Sequence, residues 1–120
     1  MDSYNVFAKA CPTRLVLDRI ADKWALLALR LICAKPKRFN QLKREIEGVS
    51  QKVLSQTLKK LERDGLISRQ AFPTVPVTVE YSVTSLGETL TDVATGISKW
   101  AEANIEAVMA AQKNYDQKAA

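Results

Sequence analysis

Histidine is absent from this 120-residue chain, and cysteine occurs only twice. Without His, most acid–base triads and the common zinc sites are excluded, and two Cys cannot complete a four-ligand zinc site in one chain. The longest apolar run, Trp24 to Leu29, falls far short of the ~20 residues that cross a bilayer. The opening stretch MDSYNVFAKACP carries Asp2 and no apolar core of a signal peptide, so a cytoplasmic protein with no membrane partner is expected. In that compartment the thiols are expected to be reduced rather than bridged. No phosphate-binding loop, dinucleotide fingerprint or metal constellation can be found. Neither a cofactor nor a metal is therefore expected, and an enzyme lacks every part that a catalytic site needs.

What is present is the composition of one globular domain. Hydrophobic residues make up 47% and charged residues 26% of the chain, and its length suffices for a single domain spanning 1–120 with a real core. Net charge is +5, unevenly placed. Between Lys35 and Arg63 nine basic residues face three acidic ones, a local balance of +6, while the remainder, with nine basic and ten acidic residues, carries −1. A positive field confined to one quarter of the chain points to a polyanion-binding surface there, although charge alone does not separate this from a solvated face.

The pattern along the chain predicts a mainly α fold with a small β-hairpin. Residues 1–13 read as an N-terminal arm offering Tyr4, Val6 and Phe7. From Arg14 to Ala34, Leu15, Ile20, Trp24, Leu27, Leu31 and Ile32 recur at helical spacing. No Pro or Gly interrupts them until Pro36, so one continuous helix is predicted, with Trp24 on its core side. A short helix follows, with Asn40 as N-cap and Leu42 and Ile46 buried. Gly48-Val49-Ser50 forms a tight turn, Ser50 caps helix 51–64 with Leu54, Leu58 and Leu61 inside, and Gly65 sits at the C-cap. Helix–turn–helix over 40–64 is the reading. Residues 66–72 and 77–83 alternate as strands around Pro73-Thr-Val-Pro76, which makes 66–83 a wing. Ser85-Leu-Gly-Glu88 matches a capping box opening a last helix over 85–113.

These residues also carry a family resemblance. Cys11-Pro12, Lys23-Trp24, Arg38-Phe39, Val49-Ser50, the run from Leu58 through Leu61-Glu62, Asp64-Gly65-Leu66-Ile67 and Arg69, and Val79-Glu80-Tyr81 with Val83-Thr84 and Leu86-Gly87 resemble the HxlR-type regulators. These are bacterial winged helix-turn-helix proteins related to the MarR group. The resemblance spans residues 11–100 and implies a homodimeric, DNA-binding transcription regulator. In the wing the chain departs from the family, because Thr78 stands before Val-Glu-Tyr where a basic residue is common. Some HxlR-type regulators use a cysteine at the position of Cys11 to sense oxidants or electrophiles. Cys11, with Lys9 and Arg14 nearby to favour thiolate, is thus the candidate sensor, against an inert thiol. Cys33, late in the first long helix, reads as a small buried hydrophobe.

Helix geometry assigns DNA contacts independently. At about 100° per residue, Lys52, Gln56, Lys59 and Arg63 fall opposite the leucine stripe, with Gln51 and Ser55 on the flanks. The N-terminal part of a recognition helix meets base edges, so Gln51, Lys52, Ser55 and Gln56 are the reading candidates, with Lys59 and Arg63 as phosphate contacts and Ser50 at the cap as a further DNA-binding candidate. Lys37 and Arg38 precede the short helix and Asn40 and Gln41 open it, placing all four against the backbone on one flank. Arg69 on the first wing strand is a further candidate. Glu62, Asp64 and Glu80 are expected to pair with basic neighbours and hold the helix to the wing.

Leu86, Leu90, Val93, Ile97 and Trp100 step by 4, 3, 4 and 3, as in a coiled-coil seam, and Ala101, Ile105 and Val108 supply an adjacent stripe. With Tyr4 and Phe7 of the arm they are the predicted homodimer interface. Double-stranded operator DNA of pseudo-palindromic sequence is the expected partner. Operator sequence, direction of regulation and the identity of any small-molecule or oxidant effector stay open. The rival reading is a winged-helix module whose basic face docks an acidic protein.

Overall fold

A computed structural model describes residues 4–119; Met1 to Ser3 of the expected arm, Asp2 included, and Ala120 lie outside the described residues. Five helices and three strands follow in the order α1 (Thr13–Ala21), α2 (Lys23–Ala34), β1 (Lys37–Arg38), α3 (Phe39–Glu45), α4 (Gln51–Arg63), β2 (Ile67–Phe72), β3 (Thr78–Val83) and α5 (Ser85–Ala119). The sheet is antiparallel with strand order β1-β3-β2. This is a winged helix-turn-helix, as the patterning implied.

The core lies between α2, α3, α4 and the sheet. Leu29, Ile32, Leu42, Leu54, Leu58, Leu61 and Ile67 are all less than 2% exposed, and Trp24, Tyr81, Val83 and Leu90 pack against them. The leucines of α4 and the pair Leu42 and Ile46 are thus inside as predicted.

Local chemistry sets the element ends, and in three places it differs from expectation. The long helix predicted over 14–34 is broken at Asp22, which is extended (φ −80°, ψ 117°). Its carboxylate accepts from the Trp24 N–H at 2.8 Å and the Ala25 N–H at 3.3 Å, so it caps α2 and ends α1 without Pro or Gly. At α3 the expected cap Asn40 is already inside the helix, whose N-cap is Arg38. The Gln41 side-chain oxygen turns back to accept the Arg38 N–H at 2.8 Å. At α5 the capping hydroxyl belongs to Thr84 rather than Ser85, accepting from the Gly87 N–H at 2.9 Å.

Helix α4 ends in a Schellman motif: the Leu66 N–H donates to the Leu61 carbonyl and the Gly65 N–H to the Glu62 carbonyl, both at 3.0 Å. Gly65 takes the required left-handed conformation, φ 77°. The same turn anchors α5, because the Thr84 hydroxyl donates to the Gly65 carbonyl at 2.6 Å and the Thr84 N–H donates to the Leu66 carbonyl at 3.1 Å. At the wing, Arg69 pairs with Tyr81 and Gln70 with Glu80 across β2 and β3. The two-residue strand β1, which the sequence pattern did not suggest, pairs Lys37 with Tyr81 and Arg38 with Glu80.

Helix α5 runs 35 residues, past the predicted end at 113. Its first half lies along α2, where Ala94 is fully buried and Arg30 bonds Ser98 at 3.1 Å and pairs with Glu102. A Cβ at Gly87 would stand 2.0 Å from the Leu66 carbonyl oxygen and 2.8 Å from Val83 Cγ2. Gly87→Ala is expected to lower unfolding stability by about 3 kcal/mol, the upper part of the usual overpacking range, because backbone must move. Urea denaturation followed by far-UV circular dichroism checks this.

Candidate nucleic-acid interface

Helix α4 presents two faces of opposite chemistry. One is closed by Leu54, Leu58 and Leu61 with Thr57, whose hydroxyl donates to the Val53 carbonyl at 2.8 Å. The other leaves Gln51, Lys52, Gln56, Lys59 and Arg63 exposed and Ser55 half-buried, in the disposition that helix phase predicted. Ser50 sits at the N-cap, its Oγ accepting from the Val53 N–H at 3.0 Å.

The start of α3 and the wing form a groove of about 480 Å³. Arg38, Asn40, Gln41 and Arg44 line one wall and Pro76 to Val79 the other. Arg38 and Asn40 are exposed, while Gln41 is half-buried with its oxygen committed to the Arg38 N–H. Arg44 is the residue that the sequence reading missed. It stands four residues after Asn40, one helical turn on, and that spacing was the available signal.

Lys37 is a correction. It was expected on the phosphate backbone, yet it is only 9% exposed, and its Nζ lies 2.9 Å from Glu45 Oε1. Pairing of β1 with β3 turns Lys37 inward and Arg38 outward. Arg69 is exposed on β2.

The acidic residues also behave differently from expectation. Asp64 pairs with Arg19 of α1 at 2.5 Å instead of tying α4 to the wing. That hydrogen bond pushes the Arg19 guanidinium further above its ordinary value, against the opposing effect of partial burial. Among the described residues Glu62 and Glu80 enter no ion pair.

The apolar seam of α5 is largely uncovered. Val93, Ile97, Trp100, Ile105 and Val108 are exposed, as are Ala101 and, in the arm, Tyr4 and Phe7. Leu90 is the exception, half-buried against the core of its own chain. Helix α1 adds exposed Leu15, Val16 and Leu17 and buries no residue.

Cys11 is half-buried just before α1, its Sγ 2.9 Å from Thr13 Oγ1. Arg14 does not face it as expected but donates to the Val6 carbonyl at 3.0 Å and the Phe7 carbonyl at 2.8 Å. Cys33 is half-buried rather than fully inside, bonded to the Arg30 carbonyl at 3.1 Å.

The helix-turn-helix and the wing agree with what comparison shows. Residues 19–109 match the HxlR-like helix-turn-helix family. The chain belongs to that family. It is 41% identical over 116 residues to the uncharacterized HTH-type transcriptional regulator YtfH of Escherichia coli K12, covering 97% of this chain and 90% of that one. The structure of ytfH from Salmonella typhimurium superposes with a TM-score of 0.87 at 40% identity, over 92% of this chain and 99% of that one. The redox regulator HypR in its reduced form gives a TM-score of 0.74 at 32% identity, over 82% of this chain and 98% of that one. This HxlR-type chain is therefore a DNA-binding transcription regulator. Among its described residues, no helix is long and apolar enough to cross a membrane.

In the HxlR-type protein Ser50 has a capping duty that its sequence position alone did not separate from a DNA contact. Ser50→Ala is expected to lower stability by about 1 kcal/mol and Ser50→Asp to retain it, since both Ser and Asp satisfy the Val53 N–H. Chemical denaturation of the three proteins checks this without DNA.

Proposed function

We propose that this HxlR-type regulator acts as a homodimer on a pseudo-palindromic operator, with one α4 in each of two major-groove segments. The observation that carries the reading is the exposed face of α4, polar and basic at Lys52, Gln56, Lys59 and Arg63 directly opposite a buried leucine stripe. Ser50, Gln51, Lys52, Ser55 and Gln56 read base edges: Gln favours adenine and Lys favours guanine. Lys59, Arg63, Arg38, Asn40, Gln41 and Arg44 hold phosphates, and Arg69 approaches the backbone from the wing. Lys37, spent on Glu45, is left out of this set.

Homodimerisation is supported by the apolar length of α5, which its own domain does not cover. Two-fold symmetry then sets the recognition helices about one DNA turn apart, ~34 Å. An oxidant-responsive switch at Cys11 is the regulatory part of the reading. It is supported by the position of the thiol at the start of α1 and by similarity to HypR, which is a redox regulator with a structure also in its oxidized form.

Mobility shift with the DNA upstream of the protein's own gene, against a random duplex, tests the reading. Lys52→Ala/Gln56→Ala is expected to weaken specific binding roughly tenfold to a hundredfold. Arg38→Ala weakens binding to all sequences and lowers the salt slope by about one, whereas Lys37→Met leaves that slope unchanged. Binding no better than to a random duplex at low salt would favour the protein-docking module instead. Peroxide or a quinone releases the wild-type protein from DNA and leaves Cys11→Ser bound. Identical responses from the two would end the sensor reading.

A further inference from the structure

A groove of about 410 Å³ lies where the start of α5 meets α1. Leu15, Val16, Leu86 and Leu90 form its apolar walls, and Arg19, Asp64 and Thr89 are its polar members. At the far end of α5, Tyr115 is 72% exposed, about 43 Å from Leu86 along the same helix axis. We propose that Tyr115 of the partner subunit fills this groove, so that each protomer completes the α1–α5 junction of the other. The inference rests on the homodimer reading and adds to it the direction and register in which two α5 helices meet.

The phase of the helix supports the arrangement. At 100° per residue Leu86, Val93, Ile97, Trp100, Val108, Ala111 and Tyr115 stay on one stripe, so the seam continues to the last turns of the helix. An antiparallel two-fold centred between Trp100 and Ala101 pairs residues equally far from that point. Large residues then meet small ones: Trp100 lies against Ala101 and Leu90 against Ala111. Val93 meets Val108, and Leu86 meets Tyr115. Asn104 does not interrupt the seam, because its amide donates back to the Trp100 carbonyl at 2.9 Å. A parallel pairing would instead stack Trp100 on its own copy and leave the groove beside Leu86 empty. The occupant also suits the groove chemically. A tyrosine ring needs apolar walls and its hydroxyl needs a polar partner once buried, and this groove combines leucines and a valine with Arg19, Asp64 and Thr89.

Cysteine cross-linking tests the register. In a Cys11→Ser/Cys33→Ser background, Leu86→Cys/Tyr115→Cys is expected to run as a covalent dimer on non-reducing gels after mild oxidation, and neither single cysteine variant is. Both positions are exposed in the protomer, so the substitutions leave its core intact. Tyr115→Ala is expected to raise the dimer dissociation constant roughly tenfold or more, as loss of a buried aromatic anchor does. If sedimentation shows a dimer but the double cysteine variant stays uncross-linked, or Tyr115→Ala dimerises like wild type, the proposed seating is overturned and the homodimer reading stands. If the wild-type chain sediments as a monomer at micromolar concentration, both fall together.

Discussion

At Gly87 the first turn of α5 comes down on the Leu66 carbonyl so closely that no side-chain carbon fits between them. The remaining bonds of that junction follow from this approach. Leu66 closes the Schellman turn of α4 and accepts from the Thr84 N–H, while the Thr84 hydroxyl bridges the Gly65 carbonyl and the Gly87 N–H. The end of the recognition helix, the root of the wing and the start of the long helix are thereby held within a few residues of one another. Where α5 points relative to α4 depends on this contact, and in the proposed homodimer so does the spacing between the two copies of α4.

The core and the charged face are divided along α4 itself. Its leucines supply the largest fully buried side chains together with Leu29, Ile32, Leu42 and Ile67, so the helix that carries the surface lysines is also anchored in the core. That coupling suits recognition, because side chains on a rigid element lose less freedom when they bind. The wing is attached less deeply, with Ile67 the only buried residue in its two strands. Its third strand, β1, brings Arg38 and the start of α3 against Glu80 of β3, which makes the groove beside the wing a product of sheet pairing.

Legibility in the sequence followed the range of the interactions. Helix α4 could be read in full because its stripe, its Ser50 cap and its Gly65 terminator all act within a few residues. The exposed face of that helix followed from its phase. The break at Asp22 is equally local, yet it escaped because a carboxylate cap, rather than Pro or Gly, makes it. Thr84 and Ser85 are neighbours with the same hydroxyl chemistry, and only the contact to Gly65 separates their roles. The burial of Lys37 and the Arg19–Asp64 bridge belong to a different class. The first depends on pairing with Tyr81 across the sheet, the second joins residues 45 positions apart, and no window of sequence contains either.

Helix α1 has nine residues and none of them is buried. A helix that short is marginal in water when it stands alone, and within its own chain α1 packs against α2 and is tied by Arg19 on Asp64 and by Arg14 on the arm carbonyls. Contacts of this exposed kind contribute about 1 kcal/mol or less each. In the proposed homodimer a partner that covers exposed Leu15 and Val16 adds to the order of α1, which makes local structure in this segment a function of protein concentration. Dilution of that dimer would then loosen the helix that follows Cys11 before it disturbs the leucine core, and would tie the proposed quaternary equilibrium to the accessibility of the thiol.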